Sequence, residues 1–441
     1  VNYWTQHQTP EGIEELVIAQ HPAIPVYDEN GGYAGGYVDI LGDKANAVRL
    51  TDMEANNRHK NWRIFGNAYL EIEPIKALVL KSSFGLNYSN GFNSTFVPKW
   101  QEGSRKVETN ELTVREDNSL QWVWANTINY AKDFGKHSIN ALIGMEAKKE
   151  NGEHVQGYGR GLIIEDLDYR YLDAVTDGKD VSNNSSSYAM VSYFGKVNCA
   201  YDEKYLVSGT LRRDASSRFG NGNNSAIFPS VSAGWRISRE NFMETTSNWL
   251  SDLKLRASWG INGNDMIDNS ATYSLYYVDM NTGSYNFSGD GKTLSPGVIK
   301  TMSGNNNLKW EQTEQFNIGI DAAFLDNRLG VTMDYFKKKT KDMLIQKPYI
   351  AAIGEGGYKW YNAASMDNNG VEATITWHDK INDFNYEVAF NVSYYHNEIT
   401  DLPEEVKYTW GGGDGISKTI IGQSYGSWMA YKTDGIFRTK E

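Results

Sequence analysis

The chain has 441 residues, Lys+Arg 43 against Asp+Glu 55, a formal net charge of -12, Gly 42, Pro 9, one Cys and 13% aromatics. The acidic balance, with no face dominated by Lys or Arg, excludes a nucleic-acid partner, because phosphate binding needs clustered cations. The lone Cys199 excludes an internal disulfide, and apolar runs such as residues 77–80 fall far short of the roughly 18 residues of a membrane-spanning helix.

The length fits one large all-β unit as well as two or three ordinary domains. The first residues, Val1 to Gln6, lack the charged start, apolar run and cleavage site of a signal peptide. Either the chain is not exported or its beginning is missing.

A period of two dominates the chain, and helical periodicity is almost absent. In order, the apolar sets are Ile139/Ala141/Ile143/Met145, Val191/Tyr193/Val197/Cys199/Tyr201, Val231/Ala233/Trp235/Ile237 and Leu253/Leu255/Ala257/Trp259/Ile261. They continue with Phe316/Ile318/Ile320/Ala322/Phe324, Leu329/Val331/Met333/Tyr335, Val371/Ala373/Ile375/Trp377 and Phe384/Tyr386/Val388/Phe390/Val392/Tyr394. Such alternation gives each strand one apolar and one polar face. Cys199 falls in this pattern as a small packing or lipid-facing residue.

Connections alternate between two kinds. Short ones lie at 73–76, 132–136, 202–204, 326–328 and 379–383; long ones cover about 89–119, 148–187, 213–227, 263–312, 339–369 and 397 onward. Structureless loops that long are uncommon in compact soluble domains. Short turns on one end and long loops on the other mark an antiparallel transmembrane β-barrel, with periplasmic turns and extracellular loops. Six hairpins give about twelve strands of about 13 residues each, enough to cross the outer membrane. The turn at 238–252 is longer and is expected to hold one helical turn capped by Ser238. Trp122, Trp124, Tyr130, Trp235, Trp259, Trp377, Tyr394 and Tyr395 sit near strand ends as interfacial girdles.

Chemistry-bearing constellations are sparse. The seven histidines are scattered without zinc-site spacing or a Cys partner, so no metal, cofactor or enzymatic activity is expected. His137, His378 and His396 lie among so many serines that a Ser–His match carries no information. The clusters Asn262–Asp265 with Asp268, and Asp367–Gly370, offer oxygen ligands for calcium but fit turn formation better. The run Lys337–Lys339, offset by Asp334 and Asp342, reads as a solvated strand end. Trp100, Trp310, Trp360, Tyr361 and Trp410, flanked by amides and carboxylates in the long loops, are the candidate substrate-binding residues, with loop packing or a partner lid as the alternative. Arg212, Arg236, Lys254, Arg256 and Glu387 fall on polar faces and would line the lumen or pair with a plug.

Two blocks, Tyr201–Gly220 (YDEKYLVSGTLRRDASSRFG) and Phe228–Ser238 (FPSVSAGWRIS), resemble the barrel of SusC/RagA-type TonB-dependent transporters. Trp249–Gly260, Leu308–Thr313 and Tyr431–Phe437 resemble further blocks of that family, in order. The resemblance runs from about Trp62 to the end of the chain. It implies an internal fragment, residues 1–441 forming about half of a 22-stranded plugged barrel, with the plug domain and the TonB-contacting segment absent. It further implies import of a glycan or peptide across a Gram-negative, Bacteroidetes-like outer membrane. A SusD-like lipoprotein would be the lid, and TonB–ExbB–ExbD would couple through the missing N-terminal region. Outer-membrane lipid would surround the wall. The rival is a passive porin with neither plug nor energy coupling, which a closed twelve-stranded barrel would allow. A soluble carbohydrate-binding β-sandwich is the third reading, disfavoured by the one-sided loop lengths. The isolated segment is expected to aggregate through its unpaired edges.

Overall fold

The computed structural model describes residues 1–6, 12–36, 42, 44–54, 57–220, 222–279, 284–348, 357–410, 417–428, 430, 432 and 435. Tyr431, Thr433, Asp434, Ile436 and Phe437, quoted above for their resemblance, lie outside them. No helix among these residues is long and apolar enough to cross a membrane.

The long strands are β2 (Arg58–Ile75), β3 (Leu78–Val97), β6 (Glu111–Phe134), β7 (His137–Leu162), β8 (Val175–Tyr201), β9 (Tyr205–Ser216), β10 (Ser225–Arg236), β11 (Leu250–Asn264), β14 (Glu311–Phe324), β15 (Leu329–Pro348), β16 (Tyr358–Ile381) and β17 (Phe384–Asp401). Short strands are β1 (Asn2–Gln6), β4 (Trp100–Glu102), β5 (Arg105–Val107), β12 (Leu275–Asp279) and β13 (Gly297–Met302). One sheet of fifteen strands runs β1-β2-β3-β6-β7-β8-β9-β10-β11-β14-β15-β16-β13-β12, with β17 also on β16, and β4 and β5 form a separate hairpin. Consecutive long strands pair antiparallel wherever their register is resolved. Among the described residues the path does not return to its first strand, so the sheet is open.

Several expectations are corrected here. Among the described residues the sheet counts fifteen strands: the twelve long ones, two for each expected short turn, and β1, β12 and β13, which are short pairings in stretches without alternation. Several strands are much longer than about 13 residues, β6 with 24, β7 with 26 and β8 with 27, while β9 and β10 have 12 each. Much of 89–119, 148–187 and 339–369 is therefore strand, not loop. Where both faces meet water, backbone pairing continues while the alternation of side chains stops. Asp367–Gly370 lies in β16, paired with Lys339–Phe336 of β15, so it forms no turn. Two short helices, α1 (Ile13–Ala19) and α2 (Ala47–Glu54), also occur where no helical period was read. The long turn holds two 3-10 turns, Ile237–Arg239 and Asn241–Thr246, and Ser238 caps neither; its hydroxyl donates to Asp252 at 2.6 Å.

Contacts divide the chain into unit 1 (residues 1–69, 83–124 and 148–188) and unit 2 (residues 70–82, 125–147 and 189–441). In unit 2 directly paired residues project to the same side of the sheet, so register alone assigns the faces. Cys199, Val207, Ala233, Ala257, Ile318, Tyr335, Val371 and Tyr394 form one unbroken row across eight strands. Val207 is 58% exposed, Ile318 48%, Val371 51% and Tyr394 69%. A continuous apolar row of this kind is what lipid, not water, covers. One residue along, Asn198, Ser208, Ser232, Ser258 and Asn317 form the opposite, polar row, with Ser208 and Ser232 hydroxyls 2.6 Å apart.

The short-turn ends of the strands carry aromatics tied by hydrogen bonds. Tyr205 and Trp235 are paired in the ladder, and both donate to Glu240, at 2.6 and 3.1 Å, with Lys204 at 3.4 Å. Those bonds, Tyr205 first and Trp235 next, hold the Glu240 carboxyl below its ordinary range. An indole or phenol with a polar partner at its tip suits the lipid–water boundary.

Unit 1 has its own core, Phe96, Leu112, Leu162 and Val175, with Val114 and Leu172 packed against it. Buried Asn110 stitches it: its amide donates to the Leu162 carbonyl at 2.9 Å and to Glu165 at 2.7 Å, and its oxygen accepts from Leu162 N–H at 2.6 Å.

Candidate functional site

The polar face of unit 2 is built by the same alternation that builds its lipid face. Arg256 on β11 pairs with Gly319 on β14, which pairs with Asp334 on β15. Its guanidinium passes over Gly319 and grips both Asp334 oxygens, at 2.6 and 2.5 Å. A Cβ at 319 would lie 2.7 Å from the guanidinium carbon and from Asp334 Oδ1, so only glycine leaves the gap that the clamp crosses. Asp321 completes the network, 2.7 Å from Lys254 and 3.2 Å from Arg256. Forked Arg–carboxylate bonds fix geometry that a lysine would not.

A second group lies on β7–β9. Arg212 bonds Asp214 at 2.7 Å and Ser192 at 2.8 Å, lies 3.6 Å from Glu146, and sits 5.4 Å from the Phe194 ring. Arg236 lies 3.6 Å from Asp252. Thus Arg212, Arg236, Lys254 and Arg256 stand on the polar face, each beside a carboxylate. Glu387 pairs with His378 in β16 on that face too. Asp321 and Gly319 were missed by reading single residues, and Asp334, read as an offset to Lys337–Lys339, is instead the partner of Arg256. Gly319-Ile320-Asp321 is itself an alternating run, and its polar positions carried the signal.

The loop aromatics take different positions. Trp310 is 4% exposed, clasped by Phe219 at 5.5 Å and Phe228 at 5.4 Å, and its indole donates to the Asn224 carbonyl at 3.1 Å. With Ile267, Ala271 and Leu308 it forms a loop core in unit 2. Trp360 packs on that core from outside and donates to Asp268 at 3.0 Å. Beside it in β16, Tyr361 carries Lys347 at 4.2 Å and Lys359 at 5.5 Å from its ring. Trp410 belongs to another cluster, with Ile345, Ile399, Val406 and Ile420, its ring 5.4 Å from Tyr425. The structure therefore brings Trp310 and Trp360 together, with Tyr361 next to Trp360, and leaves Trp410 in a separate cluster.

Asp265 and Asp268 serve this loop core. Asp265 accepts from Ser216 at 2.7 Å and lies 3.5 Å from Arg218, while Asn264 bonds Glu311 at 3.1 Å. Among the described residues no group of three or more His, Cys, Asp or Glu side chains is placed to hold a metal ion.

Trp100 lies in unit 1, in β4. The Arg49 guanidinium covers its ring at 3.7 Å and bonds Glu102 at 2.5 Å. Both charged side chains are almost fully buried, at 2% and 0% exposure. Asn46 caps α2, its oxygen accepting from Val48 and Arg49 N–H at 3.1 and 3.2 Å, while its own N–H donates to Glu102 at 3.1 Å. Nearby, Tyr33 donates to Asp52 at 2.8 Å, and burial first, then that bond, pushes its phenol up to about 12.

The chain matches a family model described as TonB dependent receptor-like, beta-barrel, over residues 21–433. It is 30% identical over 428 residues to TonB-dependent receptor P3 of Formosa agariphila, covering 95% of this chain and 41% of that protein. It is 31% identical over 346 residues to TonB-dependent receptor SusC of Bacteroides thetaiotaomicron, covering 77% of this chain and 33% of that one. The solved RagAB peptide transporter superposes with a TM-score of 0.74 at 28% identity, over 87% of this chain and 41% of the other. The chain spans about two fifths or less of the length of these curated relatives. With the model matching nearly its whole length, the chain belongs to the TonB dependent receptor-like β-barrel family.

Proposed function

We propose that the chain forms wall and outward loops of a SusC/RagA-type TonB-dependent transporter that imports an oligomeric nutrient across a Gram-negative, Bacteroidetes-like outer membrane. The observation that carries this reading is a single sheet with a lipid-type apolar row on one face and ion-paired polar rows on the other, in a chain of this family. The edge of β17 away from β16, bridged among the described residues at Ile399 to Ile421, is where further strands of a 22-stranded plugged barrel would add. The plug and the TonB-contacting segment lie outside these 441 residues. Transport of this kind draws its energy from the inner membrane through TonB–ExbB–ExbD, and a SusD-like lipoprotein closes the loop end. The cargo is a glycan or a peptide, the latter supported by the RagAB neighbour, itself a peptide transporter. Half-buried Trp360 and Tyr361, with Trp310 behind Trp360, and half-buried Trp410 are candidate cargo contacts in unit 2, and half-buried Trp100 is a separate candidate in unit 1.

The rival, a passive porin, differs in its energy requirement. Uptake of labelled oligosaccharides and peptides is measured in the native host, in a strain lacking this protein and in one lacking TonB. The expected result is that loss of TonB lowers uptake to the level of the strain lacking the protein. Uptake that persists without TonB would assign the passive pore.

A further inference from the structure

A groove with a cavity volume of about 860 Å³ crosses the apolar face of unit 2. Strands β2, β3, β6, β7, β8, β9 and β10 all contribute to its lining, and they are consecutive in the sheet. Neighbouring strands lie about 4.8 Å apart, so the groove runs for more than about 25 Å.

Its shape follows from which side chains are small. Val207 belongs to the apolar row, so Leu211 and Arg213, at even spacing along β9, share its face. Leu211 pairs with Gly195, and Arg213 pairs with Tyr193 on one side and Ile227 on the other. Gly195, Ser82 and Asn126, whose amide donates to Met145 Sδ at 3.3 Å, give the groove its depth. Exposed Leu70, Ile72, Ile128, Ile143, Leu211 and Ile227 stand around it. Lys81, Thr127, Gly144 and Phe194 border it too, but they alternate with these residues, so their side chains turn to the polar face, where Lys81 lies 3.3 Å from Glu71.

Arg213 is the cation of this apolar lining. It is exposed and donates to the Ser225 hydroxyl at 3.1 Å, and among the described residues no carboxylate lies within ion-pairing distance of it. Its chain neighbour Arg212, on the polar face, is held by Asp214 at 2.7 Å. A lipid-facing cation without a counter-ion is costly at the membrane midplane and tolerated near the headgroups. Arg213 lies about eight residues beyond Tyr205, which at about 3.3 Å per residue and a tilt of about 40° sets it about 20 Å above that girdle, in an apolar band about 25 Å tall. Its long stem therefore carries the guanidinium to the outer headgroup level.

A phosphate supplies the missing charge and matches the guanidinium fork. Leu70, by contrast, lies only about five residues from Ile75, where β2 meets its short turn. From Arg213 the groove thus descends into the apolar band, the course an acyl chain takes from its headgroup. A second copy of the chain packed here would instead bury the cation against an apolar wall.

We propose that this groove is a lipid-binding site, taking one acyl chain of an anionic phospholipid while Arg213 holds its phosphate. The site is independent of the cargo and of the energy source for transport.

The test uses the full-length native protein, purified in detergent, with lipid binding read by native mass spectrometry. Three probes carry the same chains: dioleoyl phosphatidylglycerol, dioleoyl phosphatidylcholine and dioleoylglycerol, which lacks the phosphate. One phosphatidylglycerol is expected to bind the unaltered protein about tenfold or more tighter than either of the others. Arg213→Gln and Gly195→Leu are each expected to weaken it about tenfold or more, and Arg213→Lys, which keeps the charge, by less than about threefold. A Cβ at 195 would lie 3.8 Å from Ile143 Cγ2, an ordinary contact, so leucine fills the groove without displacing backbone. Unchanged heat-modifiable gel mobility establishes folding of each variant, and the comparison of the three lipids on the unaltered protein needs no variant. Equal affinity for the three lipids, which is what a general lipid annulus gives, overturns the proposal. So does phosphatidylglycerol binding that is unchanged in Arg213→Gln or in Gly195→Leu, or a dimer of the chain that Gly195→Leu dissociates.

Discussion

Replacing Arg49 with methionine is expected to destabilise the segment around α2 and the β4–β5 hairpin by about 3–5 kcal/mol. Arg49 and Glu102 are among the most deeply buried charged side chains described, at 2% and 0% exposure. Without the guanidinium, Glu102 keeps, among the described residues, the Asn46 N–H at 3.1 Å and the partly exposed Arg105 at 3.3 Å. A carboxylate buried in that state costs far more than the lost contact, whereas removing both charges together leaves no orphan. Hydrogen exchange of amides 44–54 and 100–107 measures this directly. The single variant should exchange through local opening, and Arg49→Met combined with Glu102→Leu should recover most of the protection. Exchange in Arg49→Met as slow as in the unaltered protein would contradict the buried-pair account.

Ile318→Arg is expected to cost about 2–4 kcal/mol in lipid, the range for a cation at the membrane midplane on the lipid face of a barrel. Ile318 sits in the middle of the apolar row, between Ala257 and Tyr335. Its chain neighbour Asn317 belongs to the polar row, paired with Ser258, and Asn317→Arg should change stability by less than about 0.5 kcal/mol. Urea titration of the heat-modifiable folded species in lipid vesicles compares the two. Equal costs at 317 and 318 would mean that the two faces meet the same solvent.

The membrane-crossing parts of the strands were legible because lipid on one side and water on the other impose a period of two. Val231, Ala233 and Trp235, read as one face, do pair with Gly209, Val207 and Tyr205 on the neighbouring strand. The strand extensions were not legible for the converse reason. Around Lys149–Gly152 and Asn183–Ser187 both faces carry polar residues, so a paired strand and a loop look alike in sequence. Asp367–Gly370 reads as a turn by composition, yet its neighbours in β15 and β17 hold it extended.

The charged face was half legible. Arg256 was placed by parity, but its partner Asp334 depends on register and on the gap at Gly319, neither of which one strand's sequence reveals. Trp310 shows a different limit. An aromatic in a polar loop has the same local sequence whether it meets ligand or, as here, packs between Phe219 and Phe228. The groove on the apolar face was hidden because Ser82, Asn126 and Gly195, which give it depth, interrupt the apolar alternation that makes strands recognisable.

The central claim is that adjacent residues of these strands face lipid and water in turn, and it is tested most directly by paired cysteine labelling in native outer membranes. Single cysteines are introduced as Val231→Cys and Ser232→Cys in a Cys199→Ser background and labelled with an environment-sensitive fluorophore. Position 231 lies on the apolar face and 232 on the polar face, opposite Ser208. The account predicts quenching by brominated lipid at 231 only and by aqueous iodide at 232 only. Equal quenching of both by iodide, or the reverse assignment, would contradict it.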